Sequence, residues 1–145
     1  MTTGIQVVFD CADPNGLATF WAAALGYRLQ DPPEGFASWQ DWLRDQGIPE
    51  DRWNDASAVV DPDGGRPRIY FQRVPEAKTV KNRVHLDLGV SGGPSAGSLE
   101  EHRGKVDAEV GRLLGLGATR LRVAEERGEY WTVMQDPEGN EFCAQ

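Results

Sequence analysis

Alternation sets the first pattern in this chain. From Ile5 to Cys11, the residues Ile5, Val7, Phe9 and Cys11 fall on one side of an extended backbone, and Gln6, Val8 and Asp10 fall on the other. That is the period of a half-buried strand. Asp13-Pro14 then supplies a helix N-cap followed by proline at the first helical position, where its missing N–H costs nothing. The stretch PNGLATFWAAALG changes the period to that of a helix, with Leu17, Phe20, Trp21, Ala24 and Leu25 on one stripe and Gly26 as its stop. A short strand over 27–30 is expected next. Residues 31–54 break the pattern: they open with two prolines, are acidic, and carry Trp39, Trp42 and Trp53. They read as an insertion with a short helix near 38–46. Its tryptophans either pin it to the body or form an aromatic lid over a pocket.

Alternation returns over 56–60, stops at the turn sequence DPDGG, and resumes in RIYFQRV, where Ile69, Phe71 and Arg73 oppose Tyr70 and Gln72. PEAKTVKN reads as an exposed connection whose basic residues are solvated surface. In RVHLDLGV, Val84, Leu86 and Leu88 share one face, and His85 and Asp87 share the other. A small polar loop, SGGPSAGSLEEH, leads into a second helix over 99–115, with Val106, Val110, Leu113 and Leu114 on its stripe and Gly111 and Gly115 weakening it. His102, among LEEHRGK, reads as a surface helix residue. The strands ATRLRV and YWTVMQ, the turn DPEGN and the strand EFCAQ complete the chain.

These elements repeat. Each half reads strand, helix, three strands. LGYRL leaves the first helix and LGATRL the second; VVDPDGG precedes the last strand of the first half and VMQDPEGN that of the second. One such half leaves one sheet face bare. Two halves can curl their sheets into a common trough with helices outside. The reading is therefore α+β: two βαβββ modules, about 4–75 and 82–145, forming a cupped, half-open mixed sheet within one domain over 1–145, with the insertion 31–54 in the first module. The apolar sets, Val7 and Phe9, Val84, Leu86 and Leu88, Phe142 and Ala144, would pack under the helices. The polar sets would line the trough.

Composition narrows the function. With 145 residues and 39% hydrophobic residues, the chain can bury a core. A net charge of -8 opposes binding to nucleic acid phosphates and anionic lipid. No apolar run is long enough to span a bilayer, and no leader pattern opens the sequence, so a cytoplasmic protein is expected. Two cysteines without close spacing give neither a disulfide scaffold nor a zinc ribbon. Cys11 and Cys143 fall on opposite faces of their strands, which opposes a disulfide between them. GPSAG, at 93–97, matches the G-x-S-x-G of a hydrolase nucleophile elbow, yet the loop is long, contains Pro94, and only His102 follows it. No phosphate loop or dinucleotide fingerprint is present.

Read this way, residues 4–145 resemble the vicinal oxygen chelate superfamily of glyoxalase I, extradiol dioxygenases and bleomycin-resistance proteins. More narrowly they resemble actinobacterial glyoxalase-like proteins. The resemblance is carried by DCADP running into LATFWAAALGY, by RPRIYFQRVPEAKTVKNRVHLDL, and by DPEGNEF. It implies paired βαβββ modules and a homodimer. It also implies four metal positions, which fall here on Gln6, Gln72, His85 and Cys143. His85 fits the usual histidine or carboxylate set; Gln72 and Cys143 depart from it, and no carboxylate remains at the four positions. Glu141 and Asp87 share the expected pocket face and could substitute. No metal cofactor is favoured, with a divalent ion on those four residues as the alternative.

His85 has three readings: a hydrogen-bonded lining residue, a ligand contact or general base, or a metal ligand. Cys143 reads as a buried unreactive thiol, or as a nucleophile if His85 neighbours it. The function expected is binding of a small organic molecule by Gln6, Asp10, Trp39, Trp42, Tyr70, Gln72, His85, Asp87, Glu141 and Cys143. The alternative is a lyase, isomerase or dioxygenase that uses a metal or His85 as acid and base. A third reading is a structural or regulatory dimer.

Overall fold

The computed structural model describes residues 1–145, with Pro94 by its backbone only. The chain forms two compact units, Met1–Ala77 and Lys78–Gln145. The first contains β1 (Val7–Cys11), α1 (Pro14–Leu25), β2 (Arg28–Leu29), α2 (Trp39–Asp45), β3 (Ala56–Val60) and β4 (Ile69–Arg73). The second contains β5 (Leu86–Leu88), α3 (Leu99–Gly115), β6 (Thr119–Glu126), β7 (Glu129–Gln135) and β8 (Glu141–Ala144). Apart from the inserted α2, both read βαβββ. The sheet orders, β1-β4-β3-β2 and β5-β8-β7-β6, are the same arrangement twice. In each, the first and last strands pair in parallel and the other pairs are antiparallel. The fold is mixed α+β, as the alternation and module repeat predict.

The first helix forms where its signals say. Asp13 Oδ1 accepts from the Gly16 N–H at 3.1 Å, and Gly26 closes the helix at φ +70°, a conformation that favours glycine. Leu17, Phe20 and Trp21 are buried, with Trp21 5.2 Å from Phe9 and Phe9 5.4 Å from Phe71, ring centre to ring centre. In the second unit a complete capping box, Ser98 with Glu101, starts α3. Val106, Val110 and Leu113 are buried, as are Met134, Phe142 and Ala144 on the strands that α3 packs against. Leaving water contributes roughly 1.5–3 kcal/mol for each large apolar side chain.

The two Asp-Pro turns share one pattern of backbone hydrogen bonds to the aspartate. Asp61 accepts from the N–H groups of Asp63 and Gly65 at 3.0 and 3.1 Å, and Asp136 from those of Glu138 and Asn140 at 2.9 and 3.0 Å. Both aspartates are buried. Each turn sets the register of the strand that follows, and that register decides which residues reach the open face.

Three expectations fail. Val84 is 81% exposed rather than packed under a helix, and Ile5, at the start of the alternation of Val7 and Phe9, is likewise 75% exposed. Extending the registers places Val84 opposite the DPEGN turn and Ile5 opposite the residues before β4, so neither has a sheet to join. Leu114 is exposed, because one step of about 100° carries it past the buried stripe of Leu113. His102 is not a surface residue. It is 7% exposed, one helical turn before Val106 on the same stripe, and its Nε2 lies 3.1 Å from the Gly97 carbonyl oxygen.

The GPSAG segment forms a short 3-10 turn, Pro94–Ala96, before the Ser98 cap. Ser95 therefore sits inside this turn, and not on a direct strand-to-helix junction. Among the described residues no helix is long and apolar enough to cross a membrane.

Candidate ligand-binding site

The register sorts each sheet into a helix-covered face and an open one. In the second unit Leu86, Phe142 and Met134 align on the covered face, and Asp87, Cys143 and Val133 on the other. Alternation adds His85 to that open face, as expected. The structure brings together His85, Asp87 and Cys143. Nε2 of His85 lies 3.3 Å from Asp87 Oδ1, and one donor atom from each of the three residues lies within 4.8 Å of the others.

Cys143 is buried, as read from the sequence, and both cysteines are free thiols. Burial pushes the Cys143 thiol up to about 11, the charge of Asp87 and a hydrogen bond to it push the same way, and Arg122 and Lys81 oppose them weakly. At neutral pH this group is a thiol, without the thiolate that a nucleophile needs.

Glu141 sits opposite His85 if the β5–β8 register is extended by one residue, but its carboxylate is engaged elsewhere. Its oxygens lie 3.2 Å from Lys78 Nζ and 3.0 Å from the Asn82 N–H. Burial alone would raise this carboxyl; the N–H groups of Asn82 and of Glu141 itself and the Lys78 ammonium outweigh it and hold it below its ordinary value. PEAKTVKN is thus more than solvated surface, since Lys78 and Asn82 dock on Glu141.

In the first unit the open face carries Val8 with Tyr70 and Asp10 with Gln72 as neighbours across the β1–β4 pair. Gln72 donates to Asp10 Oδ1 at 2.7 Å. Gln6 accepts from Arg68 Nη1 at 2.7 Å, and Arg68 Nε donates to Gln30 Oε1 at 2.7 Å. The Arg68 guanidinium also lies 5.2 Å from the centre of the Tyr70 ring. Gln6 and Gln72 are not brought together. Gln6 aligns with Arg68 and Gln72 lies four residues further along β4, about 13 Å at the rise of a strand. In the second unit Cys143 sits two residues beyond the position opposite His85; the same offset from Gln6 leads to Tyr70.

The tryptophans of the insertion are fastened rather than loose. Trp39 donates its indole N–H to the Gln30 carbonyl at 2.7 Å and meets Trp42 edge to face at 5.6 Å. Trp53 donates to the Ile48 carbonyl at 2.9 Å and lies under Arg44. Gln30 is therefore a joint: its backbone holds Trp39 and its side chain holds Arg68.

Sequence reasoning missed Arg68, Gln30, Lys78 and Asn82. Arg68 shares the parity of Tyr70 and Gln72 in RIYFQRV, so counting one residue back would have found it. A separate pocket of about 160 Å³ in the second unit is lined by Ser91, Leu99, His102, Tyr130 and Trp131 among others, and includes none of the expected site residues.

The sequence matches the glyoxalase-like domain family over residues 6–145. The chain belongs to that family. No curated protein matches it in sequence. Among solved structures it is similar to a glyoxalase/bleomycin resistance protein/dioxygenase family enzyme from Burkholderia phytofirmans, with 18% identity, 96% of this chain and 94% of that one covered, and a TM-score of 0.60. It is similar to a fosfomycin resistance protein from Listeria monocytogenes complexed with Mn(II) and dihydroxypropylphosphonic acid, at 13% identity, 100% and 90% coverage and a TM-score of 0.61. A bleomycin-binding protein from Streptomyces verticillus, complexed with copper(II)-bleomycin, is 15% identical, with 100% and 96% coverage and a TM-score of 0.54. At these identities the likeness is one of fold.

One of these neighbours holds Mn(II), which raises the question of whether the donor set of this chain suits such an ion. An ion that activates oxygen ligands wants imidazoles and carboxylates with open coordination. Glu141, the other carboxylate considered for the second unit, is held by Lys78 and Asn82, which leaves one imidazole, one carboxylate and one thiol. His85 Nε2 lies 3.3 Å from that carboxylate, and the thiol hydrogen-bonds to it. This set does not fit the usual ion.

Proposed function

We propose that this glyoxalase-like protein binds a compact organic molecule on the polar open faces of its sheets, without the usual catalytic metal. The observation that carries the reading is the Asp87 cluster. His85, Asp87 and Cys143 converge with a single imidazole and a single carboxylate, where the usual oxygen-activating ion would take several of both. Sequestration needs shape and a few placed polar groups. In the first unit Gln72, Asp10, Tyr70 and Gln6 supply such groups, with Trp39 joined to them through Gln30 and Trp42 against Trp39; in the second unit His85 and Asp87 do. Neighbours of the same fold are described as binding copper-bleomycin and a phosphonic acid, which supports this class of ligand. The reading includes a cytoplasmic homodimer that binds no nucleic acid, which light scattering and gel shift would test.

Thermal-shift screening of the purified chain against antibiotic and metabolite panels, with and without manganese, tests the proposal. Ligands should raise the midpoint equally in chelator and in manganese. Stabilisation that appears only with the ion would refute the metal-free part, and no stabilisation by any compound would refute the binding part. The imidazole–carboxylate contact at 3.3 Å favours one second reading, an acid–base enzyme using His85 oriented by Asp87. Turnover of a bound compound that His85→Ala abolishes without loss of binding would establish it.

A further inference from the structure

Arginines in this acidic chain mostly sit against carboxylates. Arg28, Arg44, Arg52, Arg66, Arg73, Arg103 and Arg112 each have one. Among the described residues Arg83, Arg120, Arg122 and Arg127 are in none of the ion pairs but are exposed, where water serves them. Arg68 differs from both groups. It is half-buried, and none of the ion pairs among the described residues includes it.

What holds Arg68 is neutral. Two side-chain amide oxygens, of Gln6 and Gln30, accept from Nη1 and Nε at 2.7 Å each, and Tyr70 supports the guanidinium at 5.2 Å. Amide oxygens and a ring fix the plane and direction of the fork without cancelling its charge. Two of the five N–H donors are used, so three remain, including both on Nη2. Register and alternation put Arg68 on the open face, beside Gln6 and Tyr70 and away from α1. Gln30 is itself fixed through Trp39, so the fork is held from outside the sheet as well.

A half-buried cation with a fixed orientation, neutral supports and spare paired donors matches a planar or tetrahedral oxyanion. We propose that Arg68, oriented by Gln6, Gln30 and Tyr70, anchors the terminal oxyanion, carboxylate or phosphonate, of the small molecule this protein binds. The proposal rests on the small-molecule reading above and narrows it to anionic ligands. Gln6 then becomes a positioning residue for a fixed guanidinium.

The test uses the full chain at constant ionic strength and three probes of similar size: benzoate, phenylphosphonate and neutral benzamide. Binding is followed by NMR of the Arg68 Nε–H and the glutamine side-chain amides, and by calorimetry, in wild type, Arg68→Lys and Arg68→Met. Benzoate, phenylphosphonate or both should move the Arg68, Gln6 and Gln30 signals in a saturable way. Arg68→Met should weaken that binding by about tenfold or more, with a smaller loss in Arg68→Lys, which keeps the charge but not the fork. Which anion binds tighter identifies the headgroup. Anion binding that is unchanged in Arg68→Met, or shifts at Arg68 no larger than at the exposed Arg83 and Arg120, would overturn the proposal. If Arg68→Met does not fold, the Arg68→Lys comparison and the wild-type shifts decide. Benzamide binding without anion binding overturns this inference and leaves the small-molecule reading standing. If none of the probes binds, the anchor is rejected, and the panel screen above judges the broader reading separately.

Discussion

Alkylation of Cys143 measures the state of the Asp87 cluster directly. The thiol is raised from 9.0 to about 11. Two pH units leave about 100-fold less thiolate, so at pH 8 about 0.1% of Cys143 is ionised against about 9% of an ordinary thiol. Only the thiolate reacts with iodoacetamide. Native protein should therefore be modified at Cys143 at least about 100-fold more slowly than the urea-unfolded chain, with peptide mapping separating it from Cys11. Asp87→Asn removes the second cause of the shift and leaves burial, the largest, in place. The rate should rise severalfold and still fall short of the unfolded one. The same shift carries a stability signature. A thiol whose folded pKa is raised stabilises the fold fully below the unfolded value of 9.0 and loses that contribution as pH climbs toward 11. The amount at stake is about 3 kcal/mol, and Cys143→Ser should lack that alkaline loss. Native Cys143 reacting at pH 8 within about threefold of the unfolded chain would refute the reasoning, because it would mean a thiolate free to act as nucleophile or metal ligand.

Asp136→Ala removes the acceptor of two turn N–H groups and of the Asn140 side chain, and should cost about 2–4 kcal/mol in urea denaturation; Asp61→Ala, with two turn N–H groups and Arg66, should cost somewhat less. Glu141 is held below its ordinary value, so its contribution is present above about 4.5 and fades as pH falls through the lowered folded value. Glu141→Gln should thus lower the melting midpoint at pH 7 and approach wild type at pH 3. Ser98→Ala breaks the capping box and should cost about 1 kcal/mol by thermal denaturation.

The fold was legible because its signals are local and repeated. Alternation over 5–11 and 84–88, the DP-initiated helix and the two DPxG turns each impose backbone geometry without help from distant residues. The failures share a different cause. Val84 and Ile5 continue a correct alternation past the point where a partner strand exists, and partner length is not written in the strand itself. His102 was misread because a stripe was counted from apolar residues only, although its position four residues before Val106 was visible. At the site, parity placed His85, Asp87 and Cys143 on one face. Parity could not show that Lys78 and Asn82 would come round to take Glu141, nor that Gln6 would meet Arg68, 62 residues away in sequence.

If the site works without a metal, as proposed, its open faces leave no costly polar groups behind. Deleting an ion from a ring of histidines and carboxylates strands like charges near one another, and each pays for it in pKa or repulsion. Here the polar groups are matched within each unit. Asp10 takes Gln72, Asp87 takes His85 and the Cys143 thiol, and Glu141 takes Lys78. A cysteine suits this arrangement because, unlike a glutamate, it can sit buried and uncharged beside Asp87. A glutamate at residue 143 would put a second carboxylate beside the first and restore the demand for a cation. Cys143→Glu should therefore destabilise the ion-free protein near neutral pH. Added divalent ion should recover that loss, and wild type should show no such recovery. Destabilisation that zinc and manganese both fail to relieve would mean that the second unit lacks the geometry, and not merely the donors, for an ion.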